Sequence, residues 1–240
     1  MPLLHRLALT ALILRPFASA FVYNTFDGEG FPACYNVTAV LDPTSVDGLV
    51  SIVKQAAQDG TRIRAAGKGH SWYDTQCSDA ATVIVRTEGV HGIYDFSLAK
   101  GAADGSVVVD AGVTFFQLAE YLHERGASVG YTLTNWNISF GGSVAMGAHR
   151  SSIREHSMVA AGELVGICIL VFFFWFVYLQ WLGALALDII DGAGNIRHIE
   201  RDDSNDEWLA ASTSLGLLGI IARIKLKIYP DAKVYAKQDM

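Results

Sequence analysis

The sequence predicts an α+β fold of two packed subdomains with a crevice between them. Short β-like runs alternate with stretches of helical periodicity, and glycines stand where those elements stop, at Gly60, Gly126 and the Gly192-Ala193-Gly194 turn. No internal repeat or low-complexity linker interrupts the pattern, and 240 residues suffice to bury a substantial core.

The first subdomain takes in residues 35–88. Thr44-Ser45 can cap a helix over Val46–Gln58, with Val46, Leu49, Val50 and Val53 on one face and Gly60 as the stop. Strands follow at Arg62–Ala66 and Thr82–Thr87, giving a small β-α-β unit with a glycine turn between its last two strands. The second subdomain, residues 89–235, opens with strands at Ile93–Phe96 and Val107–Ala111, joined by the Gly-rich Lys100–Ser106 loop. Thr114 can cap a helix over Phe115–Arg125 that Gly126 ends. Ile189–Asp191 and Asn195–Ile199 then read as a hairpin about Gly192-Ala193-Gly194. Ser204-Asn205-Asp206-Glu207 has capping-box spacing for a helix running through Thr213, and Ile220–Tyr229 alternates as a strand with one polar face.

Composition narrows the function. Lys+Arg 18 against Asp+Glu 24, with no basic run, argues against nucleic acid as a partner. The hydrophobic share of 51% is high, and two segments account for the excess. At the N-terminus, His5-Arg6 precedes the apolar Leu7–Leu14 and the small residues Ala18-Ser19-Ala20. That is the pattern of a secretory signal peptide over residues 1–20, so a secreted protein is expected. In an oxidising compartment Cys34 and Cys77 can pair, and Asn36-Val37-Thr38 can carry a glycan. Asn137-Ile138-Ser139 fits the same pattern but lies in a segment expected to be buried.

The second apolar segment, Leu164–Leu187, contains no charged residue and is long enough to cross a bilayer as a helix. It interrupts an otherwise continuous pattern: Ala160-Ala161-Gly162 joined directly to Ala184-Leu185-Ala186-Leu187-Asp188 reads straight into a strand and hairpin. Residues 163–183 therefore stand under three readings, namely an intron translated in frame, a transmembrane helix that would anchor the chain, and a buried helix. Gly162-Glu163-Leu164 can be encoded with a splice-donor sequence inside it, which favours the first. Under that reading Cys168 is no part of the mature protein.

Chemistry is concentrated in glycine-rich runs. Gly67-Lys68-Gly69-His70-Ser71 follows a strand and sets a histidine on a turn whose glycines permit positive φ and close approach of a ligand. Successive N–H groups in such a turn suit a pyrophosphate. The spacing is neither that of a P-loop, since Gly69 rather than Ser or Thr follows Lys68, nor a G-x-G-x-x-G fingerprint. The second run, Phe140-Gly141-Gly142-Ser143-Val144-Ala145-Met146-Gly147-Ala148-His149, has little side-chain volume, so its backbone can lie against a large flat ligand.

In order along the chain stand the Gly67–Ser71 loop, Asp110-Ala111-Gly112-Val113 before a helix, Gly141–His149, and Leu215-Gly216-Leu217-Leu218-Gly219-Ile220-Ile221. Together they resemble the PCMH-type FAD-binding domain of the vanillyl-alcohol oxidase family, most of all the FAD-linked sugar-lactone (aldonolactone) oxidases. The resemblance implies a two-subdomain fold holding FAD. It implies covalent attachment through His70, a pyrophosphate loop at Gly67, Lys68, Gly69 and Ser71, and a second flavin segment at Gly141, Gly142, Ser143, Gly147 and His149. Gly219 and Ile220 would meet the nucleotide portion. No cysteine near Gly141 offers a second covalent anchor.

By the same resemblance the expected activity is oxidation of a CH–OH group on a small sugar or lactone, with oxygen taking the electrons. In that family a substrate-bearing domain follows the FAD domain, and the chain ends at Met240 without it. The expectation is a truncated oxidoreductase, or else a non-catalytic flavin-binding or membrane-tethered fragment. No catalytic base is identified. His149, Arg150, Arg154, Glu155 and His156 complete no familiar metal set, so no metal is expected. His91, His123 and His198 read as surface residues.

Overall fold

The computed structural model describes residues 37–71, 82–98, 105–130, 135–148 and 183–231. The signal-peptide stretch, Asn36, all three cysteines, His149 and residues 150–182 of the apolar segment lie outside them.

The first lobe begins with β1 (Val37–Leu41) and α1 (Val46–Asp59). Ser45 caps α1, its hydroxyl accepting the Gly48 N–H, and Gly60 closes it at φ 65 by donating to the Ala56 carbonyl. β2 (Ile63–Ala66) and β3 (Thr82–Arg86) follow. All three strands are parallel in the order β1-β3-β2, which requires a crossover such as α1.

The second lobe is an antiparallel sheet in the order β4-β5-β9-β7-β8, comprising β4 (Ile93–Ser97), β5 (Gly105–Asp110), β7 (Ala184–Ile190), β8 (Ile196–Glu200) and β9 (Ile220–Pro230). The short β6 (Ala127–Ser128) pairs with the end of β9. On one face lie α2 (Phe115–His123), α3 (Phe140–Ala145) and α4 (Asp206–Ala211). Phe115, Leu118, Leu122, Phe140, Val144 and Trp208 are buried there against Ile224, Leu226 and Ile228 of β9. Thr114 caps α2 with a full capping box to Gln117.

The opposite face is where the lobes join. Val46, Leu49 and Val53 of α1 pack with Val85 of β3 and with Ile190, Ile220 and Ala222 of the second sheet. The β7–β9 register shifts between Asp188 and Ile189, so β9 carries an extra residue there. That bulge lets Ile220 and Ala222 face α1 while Ile221 and Ile224 turn to the other core. The single polar face predicted for this strand is therefore confined to its second half, from Arg223 onward.

Other boundaries move for local reasons. The helix predicted from Ser204 starts at Asp206, because Ser204 donates both its N–H and its hydroxyl to Asp202 and belongs to a turn. Asn205 does the capping, accepting from Glu207 N–H. Ala184–Leu187 form the start of β7, so the last four residues of the apolar run are strand rather than part of any membrane helix. Among the described residues no helix is long and apolar enough to cross a membrane.

Candidate functional site

β2 ends at Ala66, whose carbonyl accepts the Thr87 N–H from the end of β3, and the chain turns directly into Gly67–Ser71. Gly69 adopts φ 76, which glycine tolerates at no steric cost. The Lys68 ammonium reaches Glu88 Oε2 at 2.7 Å and ties the turn to the segment after β3.

At Gly67 a side chain would overlap the Ser139 hydroxyl, so the first glycine turn rests on the cap of α3. The second glycine segment is anchored at both ends. Phe140 N–H donates to Val113 O, and Gly141 N–H donates to Ala111 O at 2.8 Å. An added Cβ on Gly141 would stand 2.7 Å from that of Ala111. At the far end Leu215 N–H donates to Ala145 O, and Gly147, at φ 62, abuts Thr213. Gly112 in turn presses against the Thr87 and Val90 carbonyls. The four glycine-bearing segments, far apart in sequence, thus form one run of contacts: Gly67 to Ser139, Gly141 to Ala111, and Ala145 to Leu215.

Two predicted residues point elsewhere. Ser143 is buried and its hydroxyl donates to Ser139 O. Ile220 packs in the interlobe cluster, beside Gly219, which at φ 131 leaves no room for a side chain next to the Ile190 carbonyl. In the chain by itself Asn137 is exposed and Ser139 of that tripeptide is buried; the burial expected of this segment is against the cofactor. His91, His123 and His198 are exposed as expected, the last two meeting Asp231 and Asp188 through Nδ1.

His70 is bracketed by one turn. Its Nε2 lies 3.2 Å from the Asn137 carbonyl, and its Nδ1 lies 3.3 Å from the Asn135 amide nitrogen. No local signal in the sequence marks Asn135 as its partner, because the contact spans 65 residues.

The residues present fit a large anionic cofactor with a flat ring. Among the described residues, the N–H groups of Gly67, Gly69 and Gly142 donate to no protein acceptor, which leaves them for phosphate oxygens. Among the described residues a Cβ built on Gly142 would meet only Ser139 Oγ, at 3.4 Å. Lys68 supplies positive charge on the first turn. No group of three metal-ligating side chains occurs among the described residues.

A separate cavity of about 460 Å³ is lined by Thr44, Ser45, Gly92, Tyr94, Asp110 and Arg223 among others, and none of the predicted site residues borders it. In it the buried Asp110 accepts the Tyr94 hydroxyl at 2.8 Å and the Gly92 N–H at 2.9 Å, with Arg223 Nε 3.4 Å from its other oxygen. The bond to Asp110, reinforced by burial, raises the Tyr94 hydroxyl above the usual tyrosine range.

A parallel β-α-β lobe and a helix-covered antiparallel lobe, with glycine segments meeting at their junction, define a flavin-binding domain. The chain belongs to the FAD binding domain family, which residues 37–165, over half of its length, match. The match stops two residues into the uncharged run Leu164–Leu187. FAD is accordingly the cofactor for which this domain is built. Among curated relatives, D-arabinono-1,4-lactone oxidase of Kluyveromyces lactis is 26% identical over 198 residues, covering 82% of this chain and 33% of that protein. L-gulono-1,4-lactone dehydrogenase of Mycobacterium tuberculosis is 25% identical over 209 residues, covering 87% of this chain and 41% of the relative. The chain therefore spans roughly a third of the length of the relatives it matches. A solved structure, alkyldihydroxyacetonephosphate synthase, superposes with a TM-score of 0.59 at 16% identity, covering 80% of this chain and 31% of the other, and shares the fold.

Proposed function

We propose that this chain is the FAD-holding part of an oxidoreductase that oxidises a CH–OH group on a sugar-derived lactone and passes the electrons to oxygen. The observation that carries the reading is the contact run from Gly67 to Ser139, Gly141 to Ala111 and Ala145 to Leu215. Both lactone-acting relatives align across most of the chain, which supports the substrate class.

Bound FAD supplies hydride acceptance, while the protein supplies orientation and electrostatics. The amides of Gly67 and Gly69 and the Lys68 ammonium hold the diphosphate. Gly141, Gly142 and Gly147 keep the backbone free of side chains so that the ring can lie along it, with Ser71 and His149 completing the surround; Ser143, Gly219 and Ile220 act from within the packing behind it. His70 bonds the flavin through one ring nitrogen. The remainder of the relatives' length corresponds to the substrate-bearing part. Residues 1–20 direct secretion, and residues 163–183 are an insert in the domain, a translated intron or else a membrane helix.

The test is to express the chain with FAD, joined to the remaining length of the Kluyveromyces lactis relative, add D-arabinono- and L-gulono-1,4-lactone without oxygen, and follow the flavin absorbance. Bleaching by either lactone and recovery in air support the reading. A yellow protein that neither lactone bleaches would leave a flavin-holding module without turnover. Colourless protein would remove the cofactor assignment.

A further inference from the structure

The Asn135-Trp136-Asn137 turn does more than pass beside His70. Its backbone is bolted to the start of α2: Trp136 O accepts the Phe116 N–H at 2.8 Å, Ile138 O accepts the Phe115 N–H at 3.1 Å, and Trp136 packs edge-on against Phe115 with centroids 5.5 Å apart. On this mount the Asn135 side chain has one orientation. Its Oδ1 accepts the Asn137 N–H at 2.9 Å, so the amide NH₂ must be the group facing His70 Nδ1. A carbonyl accepts only, so His70 Nε2, facing Asn137 O, must carry the proton.

We infer that Asn135 is a positioning residue that holds His70 as the Nε2–H tautomer, leaving the lone pair on Nδ1 as the atom that bonds the flavin. The inference rests on the reading that His70 is the covalent anchor. In the attachment Nδ1 bonds the 8α-methyl carbon and one methyl C–H breaks. Overall the imidazole N–H, that C–H and dioxygen become the N–C bond and hydrogen peroxide. Only a nitrogen with a free in-plane lone pair can begin this. A hydrogen bond of 3.3 Å from a neutral amide marks that nitrogen while being weak enough to give up.

Asn135→Asp gives the decisive test because it is isosteric. It still accepts the Asn137 N–H, but it presents an acceptor to Nδ1 and draws the proton there. A tautomer that places the proton on the wrong nitrogen is known to be costly where a histidine must offer its lone pair. The expected result is that acid-stable flavin forms at least about tenfold more slowly in Asn135→Asp, with Asn135→Ala between it and wild type, while non-covalent FAD binding persists. Asn137→Ala, which keeps the backbone carbonyl, behaves as wild type.

In parallel, ¹⁵N imidazole spectra of the FAD-free chain should show a protonated Nε2 in wild type and a protonated Nδ1 in Asn135→Asp. Wild-type attachment in Asn135→Asp, or an Nδ1–H tautomer in the wild type, overturns the inference. If wild-type flavin washes out in acid, the covalent reading fails instead, and the spectra still decide the tautomer.

Discussion

The antiparallel lobe closes a core of its own, with Leu187, Ile224, Leu226, Phe140 and Trp208 all buried together, whereas the parallel lobe closes almost none. Among the described residues, Ala66 and Ile84 form the one buried pair between its strands, flanked by Val37 and Val40. Its helix α1 spends its apolar face on the interlobe cluster, to which Ile190, Ile220 and Ala222 of the other sheet belong. Arg64 and Ala65 of β2 remain exposed. The Gly67–Ser71 turn thus hangs from a strand with one buried residue, and its rigidity is borrowed through Ser139, Glu88 and the Asn135–Asn137 turn. A ligand bound only by the folded state adds its own free energy to the whole cooperative unit, whichever lobe holds it.

The contrast can be broken first at the cores. Leu226→Ala should cost about 3–4 kcal/mol, since the antiparallel core surrounds it completely, while Ile84→Ala should cost about 2–3 kcal/mol. Urea unfolding of both variants checks this, and saturating FAD should raise the stability of each by a similar increment while both still bind it. Equal losses would show that the lobes are not so different.

A smaller effect sits at the lobe junction. Tyr94→Phe removes one of two donors to the buried Asp110 and should cost about 1 kcal/mol. The Tyr94 hydroxyl is raised in the folded chain, so its contribution is present below the ordinary tyrosine range and is lost as the pH climbs through the folded value. Wild type should lose its advantage over Tyr94→Phe in strong alkali, as followed by thermal melting across pH.

The smallest lies in the β7–β8 hairpin. Asp191 accepts N–H groups of Asn195 and Ala193 at 2.9 Å each, and the Asn195 bond chiefly holds its carboxyl below the usual range. A lowered folded value means support that is full above the unfolded pKa and lost as the pH falls through the folded one. The protection of the Ala193 and Asn195 amides, taken against their intrinsic exchange rates at each pH, should fall in acid in wild type, and Asp191→Asn should flatten that dependence.

Much of this was legible from residues alone where the signal was local. Ser45 and Gly60 bound α1, Thr114 and Gln117 open α2, and Asp191 through Asn195 make the hairpin turn, each by contacts within a few residues. Strand β1 escaped notice because its five residues are all half-buried and show no alternation. Helix α3 escaped because Phe140-Gly141-Gly142 is a poor helical sequence, held by backbone bonds to Val113 and Ala111 that only the fold provides. Residues Gly67–Ser71 and Gly141–Gly147 announced themselves by glycine spacing, but Asn135 did not, since an asparagine in a turn looks alike whether or not a histidine lies against it.

Gly142→Leu tests the central claim, that the converging glycine segments are the FAD cradle. Among the described residues only Ser139 Oγ stands near the added Cβ, and leucine is the better helix former, so the FAD-free chain should melt close to the wild-type temperature. Titration with FAD should then show affinity reduced about a hundredfold or more, because the side chain fills the space meant for the cofactor. FAD binding at wild-type strength in a normally folded Gly142→Leu chain would contradict the account.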